Sequence, residues 1–151
     1  MQNFSKKEIT FIAYGAILGD GSMQGLSTFN FSHTEAQREY CKWKVQLFQS
    51  MGLETRVLEY DANTNFGKKH YIRGIVKLGT SKNIGRLFKS KSNSRFRDKI
   101  VPKSVIRDIH PLGLLLWYLD DGSLSVKKTH NGVCRQATIA IHGFDMDSKR
   151  N

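Results

Sequence analysis

The apolar residues of this chain change period several times, and each change marks an expected boundary. Residues 9–18 are apolar nearly all round, which predicts a helix buried among other elements rather than one lying on a surface. Ser5 and Glu8 stand in the S-x-x-E spacing of a capping box just ahead of it, and Gly19-Asp20-Gly21 supplies its stop. Strict alternation follows. Phe29 and Phe31 point one way while Thr28, Asn30 and Ser32 point the other, the pattern of a half-buried strand with a polar outer face. Thr34 and Gln37 repeat the capping-box spacing and predict a helix to about Ser50, stopped by Met51-Gly52. Strands are expected over 54–60 and 70–79, joined by a turn-rich 61–69. In the second of these, Ile72, Val76 and Leu78 share a face with Gly74, and Tyr71, Arg73 and Lys77 share the other with Ile75.

Beyond a short expected helix near 81–89 and a polar loop at 90–94, Pro102 suits the first position of a helix over 102–109. His110-Pro111 then opens another apolar helix, 112–119, before Asp120-Asp121-Gly122. A basic turn at 127–132 and a strand over 133–141 complete the pattern. The order helix, Asp20-Gly21-Ser22-Met23, strand therefore recurs as helix, Asp121-Gly122-Ser123-Leu124, strand, roughly a hundred residues later. Residues 1–110 read as a first repeat and 111–151 as the start of a second, which breaks off where its next helix is due.

Charge narrows the function. The 151 residues are enough for one buried core, and 24 Lys+Arg against 13 Asp+Glu leave a net charge of +11, spread along the chain rather than gathered in a tail. A folded, basic domain points to a polyanionic partner, nucleic acid being the commonest; a solvated basic surface is the simpler alternative. Cys41 and Cys134 are too few and too far apart for a disulfide framework or a cysteine-rich zinc site and read as free thiols in a reducing compartment. Residues 4–8 carry charge where a signal peptide would not, and the apolar run 112–119 is too short to span a bilayer, so a soluble intracellular, cytoplasmic protein is expected. His33, His70, His110, His130 and His142 show no metal-ligand spacing, while Cys41, Trp43 and Phe48 read as packing residues of their helix.

The chemistry centres on Asp20 and Asp121. Gly-Asp-Gly after a helix is a natural stop, yet a carboxylate at a helix C-terminus faces the negative end of the macrodipole. Two buried-type helices that both end in an acid, the second with Asp120 adding to the charge, are hard to attribute to capping. If the helices pack side by side, the acids lie close together. Gly15 and Gly19, four apart on one face, would let a partner helix approach. Paired carboxylates need a counter-charge, and Mg²⁺ held by carboxylates and phosphate oxygens suits phosphodiester hydrolysis.

The segments 13–21 and 114–122, Ala-Tyr-Gly-Ala-Ile-Leu-Gly-Asp-Gly and Leu-Leu-Leu-Trp-Tyr-Leu-Asp-Asp-Gly, resemble the two signature helices of single-chain LAGLIDADG homing endonucleases. The resemblance covers nearly the whole chain. It implies an α+β fold built on an αββαββα unit with an antiparallel DNA-binding sheet, plus the start of a second pseudo-symmetric repeat. It also implies a site-specific double-strand DNA endonuclease, with Mg²⁺ (Mn²⁺ able to substitute) at Asp20 and Asp121, and Gly19 and Asp120 beside them in the metal site. Lys99, three residues before Pro102, matches a lysine that projects towards the active site in this branch and assists the chemistry. Outward residues of the sheet would read DNA: Thr28, Asn30, Ser32, Tyr71, Arg73 and Lys77, with Arg56, Lys68, Lys69, Lys127, Lys128, Arg135 and Gln136 as further contacts.

Leu116 stands where the first motif has Gly15, and Asp120 where it has Gly19, so an asymmetric helix contact is expected. With the rest of the second repeat absent, exposed strand edges and a complementing C-terminal fragment are expected too. Two other readings stand beside the endonuclease: an intron RNA maturase or a non-cleaving DNA-binding regulator on the same fold, and a generic basic adaptor in which both acids merely end helices.

Overall fold

The computed structural model describes residues 4–65, 67–79, 84, 101, 103–130 and 132–141. Helix α1 (Lys6–Leu18) begins as expected: the Ser5 hydroxyl accepts the N–H of Glu8, and the Ser5 N–H donates back to the Glu8 carboxylate at 2.8 Å. Every residue from Ile12 to Leu18 is buried, the outcome expected of a helix apolar all round. Strand β1 (Gly21–Gln24), too short and polar to register in the pattern of residues, follows directly and pairs antiparallel with the expected strand, β2 (Thr28–Thr34). Phe29, Phe31 and His33 of β2 face inwards, and the residues between them lie half-buried on the other side.

The Thr34–Gln37 capping box does not form. Residues Glu35–Gln37 make a 3₁₀ turn whose Thr34 side chain makes no capping hydrogen bond, and α2 starts only at Arg38, running to Ser50. Gln37 turns instead towards His33, Oε1 to Nδ1 at 3.4 Å. Helix α2 packs Cys41, Val45 and Phe48 on the sheet, with Phe48 edge-on to Phe29 at 5.2 Å. Trp43, by contrast, does not pack on the sheet: it is exposed and stacks on Tyr40.

Strands β3 (Glu54–Thr64) and β4 (Gly67–Lys77) are longer than the hydrophobic pattern predicted. The polar stretch expected as a turn is ladder: Asp61 pairs with His70, Asn63 with Lys68 and Thr64 with Gly67. Periodicity missed it because neither face of this hairpin tip is buried, leaving no apolar alternation to detect. The sheet order is β1-β2-β4-β3, all antiparallel.

Helix α3 (Lys103–Asp108) precedes α4 (Pro111–Asp121). His110 caps α4 through Nδ1, which accepts the Leu112 N–H at 3.1 Å. The helix includes Asp120 and Asp121 rather than ending at Leu119. It leads into a second antiparallel hairpin, β5 (Gly122–Thr129) and β6 (Gly132–Ile139), in which residues expected as a basic turn are strand. The expected helix near 81–89 lies largely outside the described residues, although Ile84 is buried. No helix among the described residues is long and apolar enough to cross a membrane.

The two halves meet where α1 crosses α4. A methyl group built on Gly15 would fall 2.7 Å from the Cα of Gly113 and closer still to its carbonyl; one built on Gly113 would fall 2.6 Å from the Phe11 carbonyl oxygen. The contact is thus glycine on glycine, backbone against backbone. Leu116, the position matched to Gly15 in the repeat, is buried elsewhere in the core. The asymmetry expected from the motifs is real, but its cause is Gly113, one turn earlier than the repeat alignment looks.

One exposed surface breaks the pattern. In the β5–β6 hairpin, Leu124, Val126 and Val133 share one face and are all more than half exposed. That face leads to an apolar cavity of about 390 Å³ lined by Pro111, Leu114, Leu115, Tyr118, Ala137 and Ile139. The matching face of the first sheet is covered by α2.

Gly15→Ala places a side chain where a backbone already stands, so it is expected to destabilise the fold by about 1–3 kcal/mol or more, read as a lowered urea unfolding midpoint.

Candidate active site at the helix crossing

The crossing brings the C-termini of α1 and α4 together, and a hydrogen bond joins them. Asp20 follows the end of α1, where the Gly19 N–H donates to the Gly15 carbonyl at 3.0 Å. The Asp20 backbone N–H donates to Oδ2 of Asp120 at 3.0 Å. A Cβ at Gly19 would meet the Asp120 side chain at 2.6 Å, so glycine there lets the two ends touch. Asp121 closes α4, partly buried, and Gly122 caps that helix with its N–H on the Tyr118 carbonyl.

Asp120 is held on both of its oxygens. Its carboxylate accepts from the Tyr40 hydroxyl at 2.7 Å and from Lys44 Nζ at 2.8 and 3.1 Å, besides the Asp20 N–H. The side chains of both Lys44 and Asp120 are fully buried. The Lys44 ammonium also lies over the rings of Phe31, at 4.4 Å, and Tyr40, at 4.7 Å. Burial, then the hydrogen bond to Asp120, pushes the Tyr40 hydroxyl well above its ordinary pKa, so it remains a donor. A buried ion pair is tolerable only when it is well hydrogen-bonded, and here both oxygens of Asp120 accept from further donors besides Lys44.

His33 is the residue that the linear spacing of histidines missed. It sits thirteen positions after Asp20, but β2 folds back on β1, so its Nδ1 comes 3.6 Å from Asp20 Oδ2. The ring is buried against Tyr40 and Phe31, and its Nε2 has no hydrogen-bond partner among the described residues. Burial, reinforced by the Lys44 charge, lowers its pKa below the ordinary 6.5 despite the nearby carboxylates. Donor atoms of Asp20, His33 and Asp120 all lie within 4.8 Å of one another. In that group Lys44 already stands on both oxygens of Asp120, whereas the Asp20 side chain is 39% exposed. An accessible carboxylate at a helix end is a hard oxygen donor of the kind Mg²⁺ takes, so the residues present fit such an ion. Lys99 lies outside the described residues.

The sheet places most of the expected contact residues on one face. Across the ladder Thr28 opposes Lys77, Asn30 opposes Ile75, Ser32 opposes Arg73 and Arg56 opposes Ile75, with Tyr71 and Lys69 in the same phase. Lys68 has the opposite phase and pairs with Asp61 at 2.8 Å. Lys77 and Arg56 both reach the exposed Glu54, at 2.6 and 3.7 Å. On β5–β6, Lys127 and Gln136 share the polar face with Ser123, Ser125 and Thr138, while Lys128 and Arg135 fall on the apolar side. Arg73 is held by a partner the sequence did not single out. Its Nη2 donates to the Tyr60 hydroxyl at 2.8 Å and its Nε to Ser32 Oγ at 2.9 Å, and Tyr60 stacks on Tyr71. The signal for Tyr60 was its register opposite Tyr71, which only pairing reveals.

Paired helices crossing on glycine, each running into an antiparallel sheet, define the α+β architecture of a homing endonuclease. The structure of the homing endonuclease I-WcaI bound to its DNA recognition sequence matches 99% of this chain and 66% of that one, with a TM-score of 0.69 at 21% identity. The LAGLIDADG DNA endonuclease family matches residues 10–150, and the chain belongs to that family. Among curated proteins, the cytochrome b mRNA maturase bI2 of Saccharomyces cerevisiae is 29% identical over 125 residues, 76% of this chain and 29% of that protein. Protein RecA of Mycolicibacterium flavescens is 24% identical over 126 residues, 77% of this chain and 26% of that protein. The chain thus spans little more than a quarter of the length of these relatives.

Because His33 has a lowered pKa in the fold, the unfolded chain takes up a proton first as pH falls below 6.5. Stability from neutral His33 is therefore present above that value and lost towards the folded pKa. His33→Gln is expected to flatten the fall in Tm between about pH 7.5 and pH 5, measured by thermal unfolding across that range.

Proposed function

We propose that this chain is the DNA-cutting part of a site-specific homing endonuclease, hydrolysing phosphodiester bonds in double-stranded DNA with Mg²⁺ held at Asp20 and Asp121. The observation that carries the reading is the hydrogen-bonded meeting of the two helix C-termini, which sets an acid of each motif beside one contact. Gly19 has no side chain, and the carboxylate of Asp120 is committed to Lys44, Tyr40 and Asp20, so these two would serve the ion through backbone carbonyls. When bound, Mg²⁺ (or Mn²⁺) supplies Lewis-acid stabilisation of the phosphate and activates water. The chain's own part is to hold the acids rigid, and Lys99 is assigned to stabilising developing negative charge.

Recognition falls to the polar faces. Thr28, Asn30, Ser32, Arg56, Lys69, Tyr71, Arg73 and Lys77 share one face of the first sheet, and Lys127 and Gln136 lie on the polar face of the second. Lys68, Lys128 and Arg135 would contribute charge rather than base contacts, given their phase. The net charge of +11 supports a binding constant that falls steeply with salt, by about 0.9 log units per log unit of salt for each phosphate neutralised.

A second reading, assistance to folding of an intron RNA, is favoured by the likeness to the cytochrome b mRNA maturase bI2. It uses the same basic faces and does not require the acids. The exposed apolar side of β5–β6 further supports a complementing C-terminal fragment that covers it, as α2 covers the first sheet. Both settings are intracellular.

The test is cleavage of a plasmid carrying the host sequence without the insertion that encodes this chain, in Mg²⁺ or in EDTA, with and without an added C-terminal segment. Asp20→Asn and Asp121→Asn are each expected to abolish cutting and leave duplex binding largely intact; a variant that still cuts removes its acid from the active site. Arg73→Ala is expected to cost about 1–3 kcal/mol of binding and to relax base preference at one position of the site, read by a binding assay against a panel of single-base variants.

A further inference from the structure

We propose that Lys44 is a positioning residue for Asp20, acting through the buried carboxylate of Asp120; this rests on the reading of Asp20 as a metal ligand. Lys44 occupies the buried face of α2, beside Cys41, Val45 and Phe48, where the other inward residues are apolar. Removing an ammonium from water costs several kcal/mol, and an apolar side chain of similar length would often be as stable there or more so. Packing alone therefore gives no reason for a lysine at this position.

The geometry supplies one. Nζ reaches both oxygens of Asp120, and the Tyr40 hydroxyl from the same helix holds Oδ1 as well. The other oxygen, Oδ2, accepts the Asp20 N–H. A line of charge-assisted hydrogen bonds thus runs from α2, through the last turn of α4, to the backbone of Asp20, whose own carboxylate is accessible. The contact of Lys44 with the faces of Phe31 and Tyr40 fixes the ammonium from two further sides. Lys44 itself lies wholly away from solvent. Its ammonium already engages both oxygens of Asp120, leaving Asp120 to orient its neighbour rather than to ligate through its side chain. Partners that orient a ligand in this way are worth about 10–100-fold in metal affinity.

Binding of Mn²⁺ to the full chain, followed by loss of the free-ion EPR signal, gives a readout independent of cleavage; hydrogen exchange at the Asp20 amide gives a second. The K44M/D120L double variant removes both buried charges together and so is expected to keep the unfolding midpoint while weakening Mn²⁺ binding at least about tenfold and speeding exchange at Asp20. Tyr40→Phe, which leaves the ion pair in place and folds irrespective of the double variant, is expected to shift both readouts in the same direction by a smaller factor. Wild-type Mn²⁺ affinity and Asp20 exchange in the folded variants would overturn the positioning role while Asp20→Asn still loses the ion. If Asp20→Asn binds Mn²⁺ like the wild type, the metal reading itself fails, and the positioning role with it.

Discussion

Where Gly15 meets Gly113, two helix backbones touch with no side chain between them. That distance of approach sets the separation of the two motifs, and everything after each motif is built outward from it. A methyl group on either glycine would push the helices apart and carry their C-termini with them. Gly19 repeats the device at the end of α1, where the space a side chain would take is filled by Asp120. The result is that two chain segments a hundred positions apart, Asp20 and Asp120, are joined by a hydrogen bond.

The second constraint is electrostatic. Asp120 and Lys44 are both withdrawn from water, an arrangement that stands because both oxygens of Asp120 accept further hydrogen bonds and the ammonium also faces the rings of Phe31 and Tyr40. Such a pair has little tolerance for displacement, since a shift that breaks one hydrogen bond leaves a buried charge uncompensated. Close packing between α1 and α4 and a saturated ion pair between α2 and α4 therefore reinforce each other. The first fixes how near the helices come; the second fixes their axial register at the acids. His33, pressed against Tyr40 and close to Asp20, shares the same enclosure.

From this hub the two sheets leave in the same phase. Ser22 and Ser123 follow Asp20-Gly21 and Asp121-Gly122, and each takes the polar face of its sheet, bonding respectively to Asn30 and Thr138 on the neighbouring strand. A one-residue slip after either glycine would exchange the polar and apolar faces. The halves differ in what lies behind them: α2 covers the inner face of the four-stranded sheet, whereas Leu124, Val126 and Val133 of the hairpin remain exposed. The polar residues expected to contact DNA thus lie mostly on one face of each sheet rather than in a pocket.

Local chemistry made much of this readable from residues alone. The Ser5–Glu8 cap, the all-round apolar α1, the alternation of Phe29 and Phe31, the phase of Ile72, Gly74 and Val76, and the repeated Asp-Gly at a helix end are near-neighbour patterns, and each appears in the structure. Where residues offer no burial contrast, as at the tip of β3–β4 and the end of β5, the pattern predicts turns and the structure has strands. Thr34 makes no cap: residues Glu35–Gln37 form a 3₁₀ turn there, and the Gln37 side chain turns to His33. What only the tertiary structure decided are the relations between distant segments: that Gly113, not Leu116, faces Gly15; that Asp120 is held by Lys44 and Tyr40; that His33 stands beside Asp20; and that Tyr60 steadies Arg73. The sequence determined the motifs, the family and most of the elements, because those depend on residues within a turn or a strand of one another. The partners of each charged group were decided by which backbones could come close enough to touch, and that distance is a property of the folded chain.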